Sequence, residues 1–141
     1  MTGPLANDRT AVRRARGARA RREGRGAETL AALWLMLHGW RVLGFRLDTP
    51  QGEIDLLARR GGVLAVMEVK RRRTLDEALC AVTPGQRARL RAAGENLAAR
   101  RADLAGLAVR LDLVAIGAGG LPRHLPDAWP QDAGRFTGAS R

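Results

Sequence analysis

Hydrophobic positions recur with two different periods along this chain, and the change of period marks its predicted elements. Residues 27–38 carry apolar side chains at helical spacing, and Gly39 stands where a helix would end. Residues 40–47 are largely apolar and predict a first strand, which leads into a turn at residues 49–52. The helical repeat consists of Leu30, Leu33, Trp34 and Leu37.

The next stretch predicts a β-hairpin with strands at residues 52–59 and 63–71. Arg60, Gly61 and Gly62 supply the turn, because glycine adopts the positive φ that tight hairpin loops need. Strand side chains alternate between the two faces of a sheet. The first strand is expected to place Ile54, Leu56 and Ala58 on one face and Glu53, Asp55 and Leu57 on the other, and the second strand to place Leu64, Val66, Glu68 and Lys70 together.

The length of the hairpin loop decides whether Asp55 and Glu68 meet. If residues 61–62 form a two-residue loop, Asp55 lies opposite Glu68, with about 4.5–5.5 Å between their Cβ atoms. If residues 60–61 form the loop, the two acids are diagonal neighbours on one face. An odd-length loop without a bulge would put them on opposite faces.

A long helix is expected after the hairpin. Thr83 can cap it, Pro84 suits its first position and Gln86 completes a capping box. The helix is predicted to end near residue 101. Its core-facing positions are Leu90, Gly94, Leu97 and Ala98.

Two further strands complete the predicted sheet. Residues 108–116 form one strand, on which Arg110 and Asp112 share a face and are expected to pair. Residues 121–129 carry prolines that suit an edge strand and a turn. The order α-β-β-β-α-β with a possible edge strand predicts an α/β sandwich around a mixed central sheet.

The 141 residues are enough for one domain with its own core. We predict a flexible basic arm at residues 1–22, a domain at 23–130 and a loose tail at 131–141. A single cysteine excludes a disulfide within the chain, and two histidines make a histidine-rich metal site a poor explanation. Carboxylates are therefore the candidate metal ligands, which favours Mg²⁺ or Mn²⁺.

A formal net charge of +11 favours a polyanionic partner, most simply nucleic acid. No secretory signal is recognisable at the basic start of the chain. The longest apolar run, at residues 30–37, is too short to cross a membrane. We therefore expect a cytoplasmic protein that does not bind membranes.

The candidate chemistry lies on the hairpin. Two opposed carboxylates such as Asp55 and Glu68 repel each other unless a cation or a proton lies between them, and Mg²⁺ takes such oxygen ligands. A solvated hairpin face would also be polar, so a purely structural explanation stays open. Lys70 is the only lysine of the chain, lies opposite Glu53 in the two-residue-loop register, and offers a compact ammonium that arginine cannot replace.

Glu28 lies in the first turn of the predicted N-terminal helix. An acidic side chain there interacts favourably with the helix dipole, by about 0.3–1 kcal/mol. Taken alone, the residue therefore favours a structural role.

A glutamate on a first helix, an aspartate on a strand and Glu-x-Lys on the next strand resemble the PD-(D/E)xK nuclease superfamily. More closely, GRGAETLAALWLMLHGWRVLGF, GEIDLLA and VMEVKRR resemble the YraN-type family of small bacterial nuclease-like proteins, over residues 24–129. The resemblance implies a restriction-endonuclease-like fold and a metal-dependent endonuclease, with a role in DNA repair or recombination. It gives Glu28 a catalytic role.

The expected site combines this resemblance with the residue pattern. Glu28, Asp55, Glu68 and Lys70 are the predicted catalytic residues, and the three acids are the predicted ligands of Mg²⁺ or Mn²⁺. The expected partner is nucleic acid, DNA rather than RNA, and a homodimer stays open. Glu53 and Gln86 are the supporting residues, and Arg71, Arg72, Arg73, Arg87 and Arg91 are the predicted nucleic-acid contacts.

Two other classes of function remain open. A nucleic-acid-binding module on a nuclease fold would bind in a salt-sensitive way without cleavage. A ribosome or protein adaptor would use the Glu, Asp and Lys set as a buried ionic network, since such networks also perturb pKa values.

Overall fold

The computed structural model describes residues 26–130, so the predicted arm at residues 1–22 and tail at 131–141 lie outside the described residues. The described chain forms a single mixed sheet with helices on both faces. Its elements are α1 (residues 26–37), β1 (Arg41–Thr49), β2 (Gly52–Arg60), β3 (Val63–Arg71), α2 (Leu75–Cys80), α3 (Pro84–Arg100), a 3₁₀ turn (Ala102–Leu104), β4 (Ala108–Ile116) and β5 (Pro122–Leu125).

The five strands lie in the order β1-β2-β3-β4-β5. Neighbouring strands are antiparallel except β3 and β4, which are parallel. A parallel pair needs a crossover connection, and α2 and α3 supply it. This arrangement is a restriction-endonuclease-like sandwich, which confirms the predicted fold class.

The hairpin register is the one that a two-residue loop predicts. Arg60 pairs with Val63, so Gly61 and Gly62 form the loop, and Gly61 has a φ of +56°. From there the pairing runs back to Leu56 and Met67 without a shift. Beyond this pair, Asp55 contacts β3 through its side chain, and Asp55 and Glu68 line the same cavity.

The predicted grouping of side chains on β2 is wrong at one position. Leu56 and Ala58 pack against α1, as expected for residues on one face. Ile54 instead packs with Leu57 on the α3 side of the sheet. The strict alternation is therefore broken at Asp55, where a side-chain hydrogen bond replaces regular strand pairing.

The buried face of α1 also differs from the predicted one. Leu33 and Leu37 are 55% and 85% exposed, whereas Ala27, Ala31 and Leu35 are buried against the sheet. The other two predicted positions are partly buried. The contact face of α1 therefore includes two small alanines and Leu35, in place of the predicted Leu33 and Leu37.

Helix α2 was not predicted, although its start carries a recognisable signal. The Thr74 side chain accepts a hydrogen bond from the amide of Glu77, and Asp76 adds a second acid to the first turn. Ala78 is buried in the cluster that includes β4. A threonine followed three residues later by glutamate is a helix-start pattern. The start of this helix could therefore have been predicted from the sequence.

The predicted capping box of α3 is confirmed. The Thr83 hydroxyl accepts from the Gln86 amide at 3.2 Å, and the Gln86 side chain accepts from the Thr83 amide at 2.9 Å. Leu90 and Gly94 are buried, and Leu97 and Ala98 pack against the same core. The helix therefore begins and packs as predicted.

The buried carboxylate of Asp112 ties β4 to β5. It accepts two hydrogen bonds from Arg110, at 2.8 and 2.9 Å, one contact of 2.7 Å with His124, and the amide of Asp127 at 2.9 Å. Burial alone would raise the pKa of Asp112, but the hydrogen bonds of His124 and Arg110 outweigh it and lower the pKa. The predicted Arg110–Asp112 pair and the edge strand are confirmed.

Within residues 26–130, no helix is long and apolar enough to cross a membrane.

Gly94 marks the closest approach of α3 to the sheet. A Cβ added there would lie 2.5 Å from Cγ2 of Val66 and 2.9 Å from Cγ1 of Val109. We expect Gly94→Ala to lower the free energy of unfolding by about 1–3 kcal/mol through overpacking, although alanine gains about 1 kcal/mol in helix propensity. Urea unfolding followed by circular dichroism measures the change.

Gly85→Ala is the matched control, since it lies in the same helix and nothing lies within 4 Å of its added Cβ. It should be neutral or slightly stabilising. If Gly94→Ala were equally harmless, the close packing of α3 on the sheet would be contradicted.

Candidate active site

Asp55 takes the place of a backbone partner in the sheet. Regular pairing between β2 and β3 runs from Arg60–Val63 to Leu56–Met67. Beyond that point, Oδ2 of Asp55 accepts the amide hydrogen of Val69 at 3.0 Å. This bond orients the Asp55 carboxylate, which also shares a side-chain hydrogen bond with Glu68.

Asp55 and Glu68 line the same cavity, of about 260 Å³, between the hairpin and the start of α3. Nζ of Lys70 lies 3.2 Å from Oε1 of Glu68, and only 12% of the Glu68 side chain is exposed. The sheet therefore brings together three of the four predicted catalytic residues. The cavity is completed by Gln51, Gly52, Glu53, Gln86, Arg89 and Leu90.

The surroundings of Glu68 in this cavity disfavour its ionised form. Burial, then the charge of Asp55, raises the pKa of Glu68 to about 7, against an ordinary value of 4.5. The ammonium of Lys70 opposes this shift without cancelling it. Glu68 therefore keeps its proton up to a higher pH than an ordinary glutamate, and a bound cation would lower that pKa.

Glu28, the fourth predicted residue, is held by a different partner. It is buried on α1, and its Oε2 accepts from Nε of Arg46 at 2.6 Å. Burial raises the pKa of Glu28 in spite of this ion pair, and the charges of Asp55 and Glu53 add to the rise. Glu28 therefore lies within range of electrostatic interaction with Asp55 and Glu53, but its carboxylate forms an ion pair with Arg46.

Arg46 adopts an unusual backbone conformation for its side chain. Its φ is +45°, in the left-handed region that only glycine and a few other residues adopt without cost. Such strain, on a residue of β1 that pairs with a buried acid, is found more often at functional sites than elsewhere. This residue was missed by the sequence analysis, because no local pattern marks a positive φ at an arginine.

The donor set fits a hard divalent cation with two protein carboxylates. Asp55 and Glu68 present oxygen atoms to one cavity, and Mg²⁺ commonly uses one or two carboxylates together with water and substrate phosphate. In the part of the chain that the structure describes, no three His, Cys, Asp or Glu side chains converge as a metal site. Asp55 and Glu68 line one cavity, whereas the Glu28 carboxylate contacts Arg46. The metal-ligand role of all three acids stays a prediction.

The predicted supporting residues both line the cavity. Glu53 lies opposite Asp48 in the β1–β2 register, and its side chain is exposed. Lys70 forms its ion pair with Glu68. Gln86 uses its side-chain oxygen to cap α3 and still faces the cavity.

One functional candidate in the cavity was missed. Arg89 lies one helical turn after Gln86, so both side chains reach the same face. This three-residue spacing was the available signal. Arg89 provides a cation beside the acid pair, where an approaching anion would meet it.

The five arginines predicted to bind nucleic acid separate into two groups. Arg71, Arg72 and Arg73 line a second cavity. Arg87 and Arg91 instead hold the segment after β5. Nε of Arg87 donates to the carbonyl of Val82 at 3.1 Å and its guanidinium lies 5.4 Å from the ring centroid of Trp129, whose carbonyl accepts from Arg91 at 3.1 Å.

The pKa of Glu68 predicts a dependence of stability on pH. Between pH 4.5 and about 7 the folded protein keeps a proton that the unfolded chain has lost, so the free energy of unfolding falls as pH rises through this interval. Without divalent metal, we expect Glu68→Gln to remove this slope. At pH 8 the variant should be more stable than wild type, by up to about 3 kcal/mol.

Urea unfolding at pH 5 and pH 8 in the presence of a chelator measures this difference. Glu95→Gln, at an exposed position on α3, is the control and should leave the slope unchanged. A Glu68→Gln protein that is less stable than wild type at pH 8 would show that Glu68 serves as a structural partner of Lys70.

Comparison with known proteins places the chain in a family. The model of the "Uncharacterised protein family UPF0102" matches residues 27–116. A UPF0102 protein of Caulobacter vibrioides (strain NA1000 / CB15N) is 64% identical over 118 residues, covering 84% of this chain and 94% of that protein. UPF0102 proteins of Caulobacter sp. (strain K31) and Paramagnetospirillum magneticum are 62% and 48% identical, covering 90% and 80% of this chain and 91% of each relative. The chain belongs to the UPF0102 family, the YraN-type family that its motifs resemble.

Proposed function

We propose that this protein is a metal-dependent endonuclease that hydrolyses phosphodiester bonds of nucleic acid. The observation that carries the proposal is the cavity shared by Asp55 and Glu68, in which burial and the charge of Asp55 raise the pKa of Glu68 to about 7. Such an arrangement costs stability unless a ligand compensates it, and perturbed carboxylates in a cleft are characteristic of functional sites.

Each residue has a distinct task in this proposal. Asp55 and Glu68 would hold Mg²⁺ or Mn²⁺, with Asp55 kept in position by the amide of Val69. When bound, such an ion polarises a phosphodiester and lowers the pKa of a coordinated water. Lys70, placed by its 3.2 Å contact with Glu68, donates a hydrogen bond to the attacking water or to a phosphate oxygen.

The substrate class follows from charge. The chain carries a formal net charge of +11. Arg89 lines the cavity that contains Asp55 and Glu68, which we call the acid cavity. Basic side chains around an acidic centre allow a polyanion to approach carboxylates that would otherwise repel it. DNA is the preferred polymer because of the nuclease resemblance, and phosphate contacts alone would give affinity without sequence specificity.

A second candidate function rests on the Lys70–Glu68 pair. Both side chains are largely buried, as expected for an ionic network that stabilises a non-catalytic module. A nucleic-acid-binding protein or an adaptor would then need no metal. The stability of Glu68→Gln at pH 8 separates this role from the catalytic one.

Asp55→Asn tests the catalytic proposal. Asparagine keeps an oxygen that can accept from the Val69 amide, so the fold should survive, but the ligand charge is lost. We expect binding of Mn²⁺ and Mg²⁺ in calorimetry to weaken by at least about tenfold. Cleavage of a panel of labelled single-stranded, duplex, flap and branched DNA and RNA should fall by roughly 100-fold or more.

Asp48→Asn is the matched control, since it changes an exposed carboxylate on the adjacent strand β1. It should bind metal and cleave like wild type. If wild type bound no metal at millimolar concentration, even with nucleic acid present, the catalytic proposal would be wrong.

A further inference from the structure

Strands β3 and β4 end side by side at one edge of the sheet. They are parallel, and their last paired residues are Arg71 and Ile116. The amide of Arg72 then donates to the carbonyl of Ile116 at 3.1 Å, which carries the pairing one residue further. The segments that follow the two strands therefore leave the sheet together.

These segments enclose a second cavity, of about 440 Å³. We name it the arginine cavity. A nitrogen of the Arg72 guanidinium donates to the carbonyl of Arg71 at 2.8 Å, which holds that side chain against the strand end. The arginine cavity is lined by Arg71, Arg72, Arg73, Glu77, Gly117 and Ala118.

The net positive charge of the arginine cavity favours binding of an anion. Three exposed arginines face it, against the single carboxylate of Glu77. Guanidinium groups present a planar fork of donors that matches phosphate oxygens and stay charged at all physiological pH values. A concave surface lined by one sign of charge concentrates counter-ions of the opposite sign.

One strand connects the arginine cavity to the acid cavity. Glu68 and Lys70 lie on β3, and Arg72 follows directly after that strand. At about 3.3 Å per residue, the backbone of Arg72 lies roughly 13 Å beyond that of Glu68. Since each strand of duplex DNA rises about 3.4 Å per nucleotide, this separation corresponds to about four nucleotides.

We propose that the arginine cavity is a phosphate subsite for the nucleic-acid backbone, about four nucleotides from the bond at the acid cavity. The position of the subsite relative to the cleaved bond rests on the proposed function, whereas binding of a phosphate backbone in the cavity does not. Arg72 and Arg73 supply the contacts, and Glu77 weakens them. The subsite makes the protein prefer polymers over small phosphodiesters.

Binding without cleavage tests the subsite directly. The probe is a fluorescein-labelled DNA duplex of about 20 base pairs, titrated with full-length protein in a chelator and followed by fluorescence anisotropy at several salt concentrations. Each lost phosphate contact should lower the salt slope by about one. For the double variant Arg72→Ala/Arg73→Ala, the loss of affinity between about 50 and 200 mM salt should therefore be roughly tenfold smaller than for wild type.

Two further proteins make the test specific to the cavity. Arg41→Ala/Arg60→Ala removes the same charge from exposed positions at the opposite end of the sheet, and should retain a slope close to that of wild type. Glu77→Gln removes the opposing carboxylate and should bind the duplex more tightly. Circular dichroism confirms that each variant is folded.

The proposal requires both shifts. If the slope of Arg72→Ala/Arg73→Ala equalled that of the control variant, or if Glu77→Gln bound no more tightly than wild type, the phosphate would lie elsewhere and the subsite would be wrong. Inorganic phosphate and a trinucleotide serve as competitors. Displacement of the duplex by phosphate alone at low millimolar concentration would indicate a site for the free ion and overturn the backbone assignment.

Hydrolysis of bis(4-nitrophenyl) phosphate with Mn²⁺ separates this proposal from the proposed function. This small diester cannot reach the arginine cavity, so the Arg72→Ala/Arg73→Ala protein should hydrolyse it like wild type while cleaving the duplex more slowly. If wild type hydrolysed neither substrate, the nuclease proposal would fail while the binding result still decided the subsite.

Discussion

The hydrogen bond between the Val69 amide and the Asp55 carboxylate couples the fold to the candidate site. It replaces a backbone partner at the point where regular β2–β3 pairing stops. At the same point the alternation of β2 is broken, and Ile54 packs with Leu57 on the α3 side of the sheet. Asp55 and Glu68 line one cavity there, beside the start of α3.

Asp112 and Glu68 are two largely buried carboxylates of one sheet whose pKa values shift in opposite directions. Asp112 receives hydrogen bonds from two side chains and an amide, and its pKa is lowered. Glu68 has a single cationic neighbour and another acid close by, and its pKa is raised to about 7. A buried acid with several hydrogen-bond donors stays ionised, whereas Glu68, which lies near another acid, holds its proton to a higher pH.

The sequence predicted the features that local chemistry determines. The two-glycine loop determines the hairpin register, and the Thr83–Gln86 capping box determines the start of α3. The buried face of α1 was beyond such rules, because alanines displace leucines only when the helix meets a particular sheet surface. The structural contacts of Arg87 and Arg91 likewise depend on where Trp129 returns to α3, which no spacing in the sequence reveals.

Arg46 supplies a positive charge close to three acids, Glu28, Glu53 and Asp55. The hydrogen bond that Arg46 donates to Glu28, and then the charges of Glu28, Glu53 and Asp55, raise the pKa of Arg46, so its guanidinium lies within the field of three carboxylates. To reach that place from an edge strand, the residue takes a φ of +45°. This conformation is uncommon for a residue with a side chain, and the Arg46 guanidinium contacts the buried Glu28. Arg46 therefore supplies a counter-charge on the Glu28 side of these acids, whereas Asp55 and Glu68 line the cavity that also contains Arg89 of α3.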